Sequence, residues 1–522
     1  MVLAAAYGVI VLAHFRGIVS FIYTNSDYAA PAVVAHAMGG APAGTDFVIG
    51  QSKWYEPLSF LRVTEWLPLH RQFWDLLPLL GDLAAVGLLV ASARRAFGVW
   101  GAALTAAALA CVGEAGLLAL LTLDSHAAAV VHAVVLGAAL VWLAAHNEAL
   151  SWRRLAAACI ALGLVSSLAV PDSLFVIWGL IPLVATAVLC AWRQGGRRST
   201  QLLAFALGTA AVALVAGRVF AQELTHDGVG AASFPLSFAS GEAVVAHVTL
   251  MAQSLTGLAG GDFFGLPVDF ASLATFATGA LVLTALVVVL ADVRHRVSVA
   301  GPRRRVDHGR VTPRFVYVAF WSSCLISALA TFTFGTAGGN LGGGRYLLGA
   351  YVAVAALLPL VAERGVGFKL SVAVGVSLLA IIATYQLVRV PVDPQGSSLN
   401  TRTANAVAGF ARAHHLKYGY AGYWDSLPIS WATDFGVQVF PVAQCEPGQA
   451  TLCPFSIVHV SSWYVPRPAT PTFLIVDPTV PFPVSSRDPA LGTPVLSARF
   501  DRLEVYVYPY DIASRLGGRY AP

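Results

Sequence analysis

The sequence predicts a polytopic α-helical membrane protein with about eleven transmembrane helices and a small C-terminal α/β domain outside the membrane. Of its 522 residues, 57% are hydrophobic and 11% are charged, and the mean hydropathy is +0.71. A soluble protein carries about 25% charged residues. Apolar runs of about 17–22 residues recur along the chain, each long enough to span a bilayer. After residue 390 the sequence becomes polar, aromatic and rich in proline.

Each predicted span is one of these apolar runs. The predicted spans are 1–20, 76–92, 99–122, 127–146, 155–170, 174–192, 200–220, 271–291, 315–334, 346–362 and 370–389. The first span has no cleavable signal pattern, so we expect it to stay as an anchor. No repeat of fixed period is visible, which gives no sign of an inverted-repeat transporter.

The loops between the spans alternate in charge. Short basic loops contain Arg94, Arg153, Arg193, Arg303 and Arg364 and should face the cytoplasm. The outer set is 21–75, 124–126, 171–173, 221–270 and 335–345. With eleven spans, this alternation of inner and outer loops predicts a cytoplasmic N-terminus and an external C-terminus. The net charge of +5 therefore reflects topology, and no nucleic-acid partner is expected.

Residue usage and the longer outer loops refine this assignment. The preference for Arg over Lys and the heavy use of Ala indicate a GC-rich bacterial genome, and so an inner (plasma) membrane. Residues 29–39 predict a helix near the membrane interface. The stretch 241–258 predicts an amphipathic helix on the membrane surface.

The C-terminal region is expected to form its own domain, so the predicted boundary separates 1–390 from 391–522. Its pattern predicts a helix at 402–414 and strands at 436–442, 455–460, 472–477 and 503–509. Cys445 and Cys453 lie in a polar stretch of this domain. If the domain is outside the cytoplasm, we expect them to form a disulfide.

Asp27 is the first candidate for chemistry. It follows the first apolar segment directly, and an acid at that depth is costly unless it is paired, hydrated or used. One interpretation is a general base at the outer mouth of the membrane domain. The other is a helix-ending acid, since Ser26 and Asp27 also suit a turn or an N-cap.

Other outer loops supply candidates for binding a phosphate or a metal. Asp124 and His126 lie in a very short outer turn, where they can orient a phosphate or hold a metal, or simply form a polar cap. The Gly-rich 335–344 loop leads to Arg345 and Tyr346 at the start of a helix, where an Arg can bind a phosphate through two donors. The alternative for Arg345 is an interfacial, snorkelling side chain.

Further candidates have weaker signals. Arg16, near the outer end of the first span, is either a second phosphate contact or a snorkelling side chain. Glu56 is an acid of the first outer loop. Tyr423, Trp424 and Asp425 end an aromatic, Gly-rich run that suits contact with a carbohydrate acceptor, although packing of a small domain explains that run equally well.

The sequence resembles the GT-C superfamily, which are membrane glycosyltransferases that use polyprenyl-phosphate sugars. The Asn25-Ser26-Asp27-Tyr28 stretch looks like the catalytic-loop acid of that superfamily, and Arg345-Tyr346 looks like the Arg-Tyr that opens a late helix in its members. The architecture of the first 390 residues is also similar. Position 28 is Tyr, whereas protein mannosyltransferases have a paired Asp-Glu there, which argues against a protein acceptor. The sequence also lacks the Trp-Trp-Asp motif of oligosaccharyltransferases.

The resemblance implies transfer of a sugar from a polyprenyl-phosphate donor to the hydroxyl of a glycan or lipid acceptor outside the cytoplasm, with inversion. Asp27 would be the general base. Arg345, Arg16 or a divalent cation such as Mg²⁺ or Mn²⁺ would stabilise the leaving phosphate. The donor's lipid tail would lie among the membrane lipids. Two rival functions are a lipid or glycan transporter (flippase) and a non-catalytic assembly protein with a sugar-binding tail.

Overall fold

A computed structural model describes most of the chain. The described residues are 26–40, 44–50, 71–110, 126–146, 150–194, 196–226, 228–232, 237–262, 264–267, 270–299, 311–336, 341–361, 401–446, 451–480, 484–485, 488–518 and 520. They form two compact units. The first unit holds the described residues of Pro78–Val219 and Pro235–Val390, and the second holds those of Arg16–Leu77, Phe220–Phe234 and Pro391–Pro522.

Long helices dominate the first unit, and the strands belong to the second. The α-helices are α1 (Ser26–Gly40), α2 (Arg71–Leu109), α3 (Ala127–Ala145), α4 (Trp152–Ser167), α5 (Ile181–Gln194), α6 (Gly196–His226), α7 (Gly241–Leu258), α8 (Phe270–Val299), α9 (Pro313–Phe334), α10 (Leu348–Val361), α11 (Thr401–Ala413) and α12 (Tyr423–Ala432). The strands are β1 (Phe47–Gly50), β2 (Val229–Ala232), β3 (Tyr418–Ala421), β4 (Gln438–Gln444), β5 (Leu452–Pro454), β6 (His459–Val460), β7 (Thr472–Val476), β8 (Leu496–Phe500) and β9 (Leu503–Tyr508).

Several helices are long and apolar enough to cross a membrane. Among the described residues these are Leu80–Leu109, Ala127–Ala145, Ser173–Arg193, Gly196–His226 and Pro313–Phe334. Shorter apolar helices cover Thr275–Ala291 and Gly344–Leu360. The chain therefore has the multi-helical membrane character that its composition predicts. The predicted spans 1–20 and 370–389 lie outside the described residues, and the count of eleven stays a prediction.

The helices of the first unit pack tightly where small residues allow it. A Cβ atom on Gly137 of α3 would lie 2.8 Å from the Phe320 ring of α9, which shows how closely these two helices approach. Phe320, Leu140 and Leu325 are completely buried between them. In α2, the predicted break between two spans is present as Gly98, whose φ of 76° interrupts the helix.

Contacts at the two ends of this unit involve residues from different predicted loops. At one end, His126 of the predicted outer turn 124–126 contacts Asp172 of 171–173 and Tyr346, which directly follows 335–345. At the other end, the Arg193 guanidinium lies over the Phe315 ring. The Gln201 side chain also donates a hydrogen bond to the Leu150 carbonyl there.

The second unit is built on a six-stranded mixed sheet with the order β5-β4-β3-β7-β9-β8. Its three central strands are parallel, because β3 pairs with both β4 and β7 in that sense. Helices α11 and α12 pack on this sheet around a core that includes Val407, Ile429 and Phe473. Gly419 of β3 is required by close packing, since a Cβ there would lie 2.4 Å from the Phe473 ring.

Segments from distant parts of the sequence also belong to the second unit. β1 pairs in parallel with β2 and antiparallel with β6, so residues 47–50, 229–232 and 459–460 form one small sheet. Helix α1 packs along α12. The three strands and α1 all come from regions that the sequence assigns to the outer side of the membrane.

The C-terminal predictions are confirmed in part. Helix α11 and strands β4, β7 and β9 match predicted elements within a few residues. Of the predicted strand 455–460, the structure has only β6 at 459–460. Strands β3, β5 and β8 and helix α12 were not predicted. The predicted boundary at residue 390 lies outside the described residues.

Candidate functional site

The candidate residues fall into four groups. Asp27 lies in the first turn of α1, whose helix begins at Ser26. Arg16, Glu56 and Asp124 lie outside the described residues. The first unit holds His126, Arg345 and Tyr346. The second unit holds Tyr423, Trp424, Asp425 and the two cysteines.

His126 immediately precedes α3 and takes a left-handed backbone conformation, with φ 65° and ψ 2°. Non-glycine residues rarely adopt this conformation, although His is enriched among those that do. Its Nδ1 atom lies 2.7 Å from the Oδ2 atom of Asp172. A carboxylate can only accept, so the Nδ1–H donates to it and the Nε2 atom is left for other contacts.

Asp172 is held in place by the helix that it caps. Its Oδ1 atom accepts a hydrogen bond of 3.0 Å from the Leu174 amide, at the start of the short helix Ser173–Phe175. With its other oxygen on His126, the carboxylate uses both acceptors and is almost completely buried. Sequence reasoning did not single out Asp172. The available signal was its place in the predicted outer turn 171–173, at the same end as 124–126.

A π-helix, Val176–Leu180, continues from this short helix. Such segments are often found at functional sites. Its Trp178 ring packs edge-on to the His126 ring, with 6.4 Å between centroids. The ring is completely buried, and its Nε1 donor has no hydrogen-bond partner among the described residues. Gly349 of α10 allows this packing, because a Cβ there would lie 2.6 Å from the indole.

Tyr346 contacts His126 from a 3-10 helix, Leu341–Leu347, that leads into α10, and Arg345 precedes it in the same helix. The Tyr346 ring lies 5.3 Å from the His126 ring. The Arg345 guanidinium lies 5.3 Å from the centroid of the Tyr346 ring, and its Nη2 atom is 3.5 Å from the Tyr346 hydroxyl. On the other side, Gly344 packs against Ser254 of α7, the predicted amphipathic helix.

The cluster of His126, Asp172, Trp178, Arg345 and Tyr346 therefore combines a cation, an imidazole and a hydroxyl at one end of the bundle. A guanidinium and a protonated imidazole together suit a phosphate. The Nε2 atom of a neutral His126 could also serve as a metal ligand. The described residues contain no group of three His, Cys, Asp or Glu side chains that could hold a metal ion, and Asp124 lies outside them.

The predicted acceptor contacts lie at the start of α12. Tyr423 and Trp424 are partly exposed, whereas Asp425 is only 1% exposed. Burial, with the nearby Asp477 carboxylate, raises the pKa of Asp425 to about 7, and Arg502 opposes this shift. Of the three, only the two aromatic rings are accessible to an acceptor. Cys445 and Cys453 are joined by a disulfide.

Comparison with known proteins gives structural neighbours but no sequence match. No family model and no curated protein matches the chain. Among solved structures, it is similar to the oligosaccharyltransferase AglB from Archaeoglobus fulgidus in complex with an inhibitory peptide and a dolichol-phosphate, with TM-score 0.41 and 12% identity. That alignment covers 80% of this chain, which spans 60% of the AglB chain.

A second structure of that Archaeoglobus fulgidus oligosaccharyltransferase, tethered to an acceptor peptide, gives TM-score 0.40 and 14% identity over the same shares. ArnT from Cupriavidus metallidurans in the apo state gives TM-score 0.39 and 14% identity, over 99% of this chain and 100% of ArnT. At these TM-scores the likeness carries no argument about activity.

Proposed function

We propose that this protein is a membrane glycosyltransferase that moves a sugar from a polyprenyl-phosphate donor to an acceptor hydroxyl outside the cytoplasm. The observation that supports it best is the 2.7 Å pair of His126 and Asp172 beside Tyr346 and Arg345. A guanidinium, an imidazole and a hydroxyl, all suited to a phosphate, are thus gathered at one end of a bundle of apolar helices. A phosphate attached to a lipid tail needs both features together.

The first role is to bind the donor phosphate. Arg345 provides a fork of donors, which suits two oxygens of one phosphate. Asp172 contacts Nδ1 of His126 and fixes the imidazole ring, so its Nε2 atom is left to contact a third oxygen. Fixed donors of this kind stabilise the negative charge that grows on the leaving phosphate as the glycosidic bond breaks.

The second role is to activate the acceptor. Asp27 takes the proton of the acceptor hydroxyl while that oxygen bonds to the anomeric carbon. The bond between the anomeric carbon and the phosphate oxygen breaks in the same step, and polyprenyl phosphate leaves with the bonding electrons. A single displacement inverts the anomeric centre. Tyr423 and Trp424 present aromatic rings that suit an acceptor glycan.

The membrane placement follows the charge pattern of the loops. The proposal has eleven spans in a bacterial inner membrane, a cytoplasmic N-terminus and an external domain from residue 391 onward. The grouping of the loops at two ends of the first unit supports this parity. So does the pairing of β1, β2 and β6, because all three strands come from segments assigned to the outer side.

A paired assay of donor binding and sugar transfer, in the purified full-length protein, tests the two roles separately. Asp27→Asn should lower transfer by about 10²–10⁴-fold while donor binding stays intact, because the amide cannot accept a proton at neutral pH. Arg345→Ala should weaken donor binding, and Arg345→Lys should restore it only in part, since an ammonium lacks the fork. Asp46→Asn and Arg218→Ala, at exposed positions, are the matched controls.

Each result decides one part of the proposal. Wild-type turnover in Asp27→Asn would remove Asp27 as the base and make Asp124 or Glu56 the next candidate. If neither variant changes transfer, and the protein moves a lipid across vesicles instead, the transporter alternative is correct.

A further inference from the structure

The second unit holds helix α1, which carries Asp27, at both of its ends. Ser26, completely buried, donates a hydrogen bond from its hydroxyl to the Tyr423 carbonyl. At the other end, the His36 ring stacks on the Phe435 ring with 3.9 Å between centroids and 3° between planes. Between these two contacts, Ala29, Ala30 and Val34 are buried.

The contact at Ser26 depends on the first turn of α12. The Tyr423 carbonyl accepts a second hydrogen bond, of 2.9 Å, from the Ser426 hydroxyl. The Asp425 amide donates to the Gly422 carbonyl at 3.1 Å. The Tyr423 carbonyl therefore points to Ser26 only while this turn keeps its geometry.

That turn is tied to the sheet by one arginine. Arg502, in the turn between β8 and β9, places its Nε atom 2.6 Å from Oδ2 of Asp477 and its Nη2 atom 3.7 Å from Oδ1 of Asp425. Asp477 is fixed in turn, because its Oδ1 atom accepts from the Thr479 amide and hydroxyl at 2.8 and 2.6 Å. Both carboxylates are buried.

The position of this network in the sheet explains why it can control the turn. Asp425 follows β3 and Asp477 follows β7, and these strands are parallel neighbours. Strand β4 lies on the opposite side of β3, so the chain reverses its strand order between β3 and β7. In open α/β sheets, the carboxyl ends of strands at such a reversal form a crevice. Here Arg502 joins the two carboxylates at that edge.

We infer that Asp425 and Arg502 are positioning residues for the transfer reaction. Together with Asp477, they fix the turn at Tyr423. That turn fixes Ser26, and with it the backbone that presents Asp27. This inference rests on the proposed role of Asp27 as the base. A misplacement of about 1 Å can lower a rate by about 10²-fold. The domain outside the membrane is thereby part of the catalytic machinery.

The test uses the full-length protein with two measurements. Arg502→Met and Asp425→Asn should lower turnover by about ten- to a hundredfold at saturating donor, with donor affinity unchanged. Arg502→Lys should recover part of the turnover because it keeps a charge between the carboxylates. Arg499→Met is the matched control: it is an exposed arginine of the same hairpin, and its turnover should equal that of the wild type.

The second measurement is hydrogen exchange, read by mass spectrometry on peptides covering residues 26–40. In Arg502→Met and Asp425→Asn, the amides of these peptides should lose protection from exchange, while peptides of the first unit keep their protection. If Arg502→Met loses protection throughout the second unit, it has unfolded, and the milder Asp425→Asn decides.

Asp27→Asn assayed in parallel separates the two claims. Wild-type turnover in Asp27→Asn would overturn the proposed base itself. The positioning role alone would be overturned by a different result. In that case Asp27→Asn is inactive, whereas Arg502→Met and Asp425→Asn both keep wild-type turnover and wild-type protection from exchange.

Discussion

The two units place their charged groups in different surroundings. In the helical unit, His126 and Asp172 pair where two helices begin, and the Asp172 carboxylate also caps its own helix. In the sheet unit, Asp425, Asp477 and Asp511 are each at most 3% exposed, and each lies beside an arginine. Buried charges are costly unless paired. The helical unit therefore has its His126–Asp172 contact at one end of the bundle, whereas the buried ion pairs of the sheet unit fix the geometry inside that unit.

The largest expected effect tests the helical unit. Removing the imidazole in His126→Ala should weaken binding of a polyprenyl monophosphate by about 10–100-fold, since a hydrogen bond to a charged group contributes about 1.5–3 kcal/mol. Asp172→Asn should have a smaller effect in the same direction, because the imidazole remains but loses its anionic partner. Direct binding to the purified protein measures both.

The control for this pair is His146→Ala, at the opposite end of α3. It should bind like the wild type and unfold at the wild-type temperature. Unchanged affinity in His126→Ala would show that the contact between His126 and Asp172 serves only the fold, as the buried pairs of the sheet unit do.

The next effect concerns the disulfide of the sheet unit. Replacing Cys445 and Cys453 by Ser should lower the free energy of unfolding by about 2–3 kcal/mol on the chain-entropy model. Thermal unfolding with and without reductant measures it. Reductant should destabilise the wild type and leave the double variant unchanged, because Cys159, Cys190 and Cys324 of the helical unit are free and buried. A reductant effect in the double variant would contradict this assignment.

A pair of glycines in the sheet unit tests its packing. Gly419→Ala should destabilise the protein by about 1–3 kcal/mol, because the new methyl group would overlap the Phe473 ring. Gly409→Ala, in the open interior of α11, should be neutral or gain up to about 1 kcal/mol. Chemical denaturation compares the two, and equal stability would show that β3 and β7 can separate to admit a side chain.

The last expected effect is a pH dependence of stability. Asp425 has a pKa of about 7 in the folded protein, above its ordinary value, mainly through burial. Between the two values the folded state holds a proton that the unfolded state has lost. Stability should therefore fall as pH rises from about 4 to about 7, by at most about 1.4 kcal/mol per pH unit, and then level off.

Asp425→Asn removes this titrating group, so it should flatten that part of the profile. Thermal midpoints across the pH range, for the wild type and this variant, provide the measurement. Parallel profiles would mean that Asp425 is already ionised when the folded protein is at low pH.

The two units also differ in how far sequence predicts them. The stretch 241–258 matches α7, and 315–334 matches α9 within two residues, because hydropathy and caps are local properties. The aromatic run that contains β3 and the start of α12 suits carbohydrate contact and domain packing equally well by sequence, because the burial of Tyr420 and Asp425 depends on segments distant in the chain. Similarly, Asp172 became a site residue through a contact 46 positions away, which periodicity cannot reveal.

The small sheet of β1, β2 and β6 has a consequence for the order of folding. Its strands come from residues 47–50, 229–232 and 459–460, and the contact of Ser26 with Tyr423 joins positions 397 apart. Contacts so distant in sequence form slowly, because a long loop must close before they contribute. The ribosome completes α1 and β1 hundreds of residues before their partners α12 and β6. The segment that carries Asp27 therefore acquires these native neighbours only after residue 460 has been made, so a chain that stops before that residue cannot assemble this region.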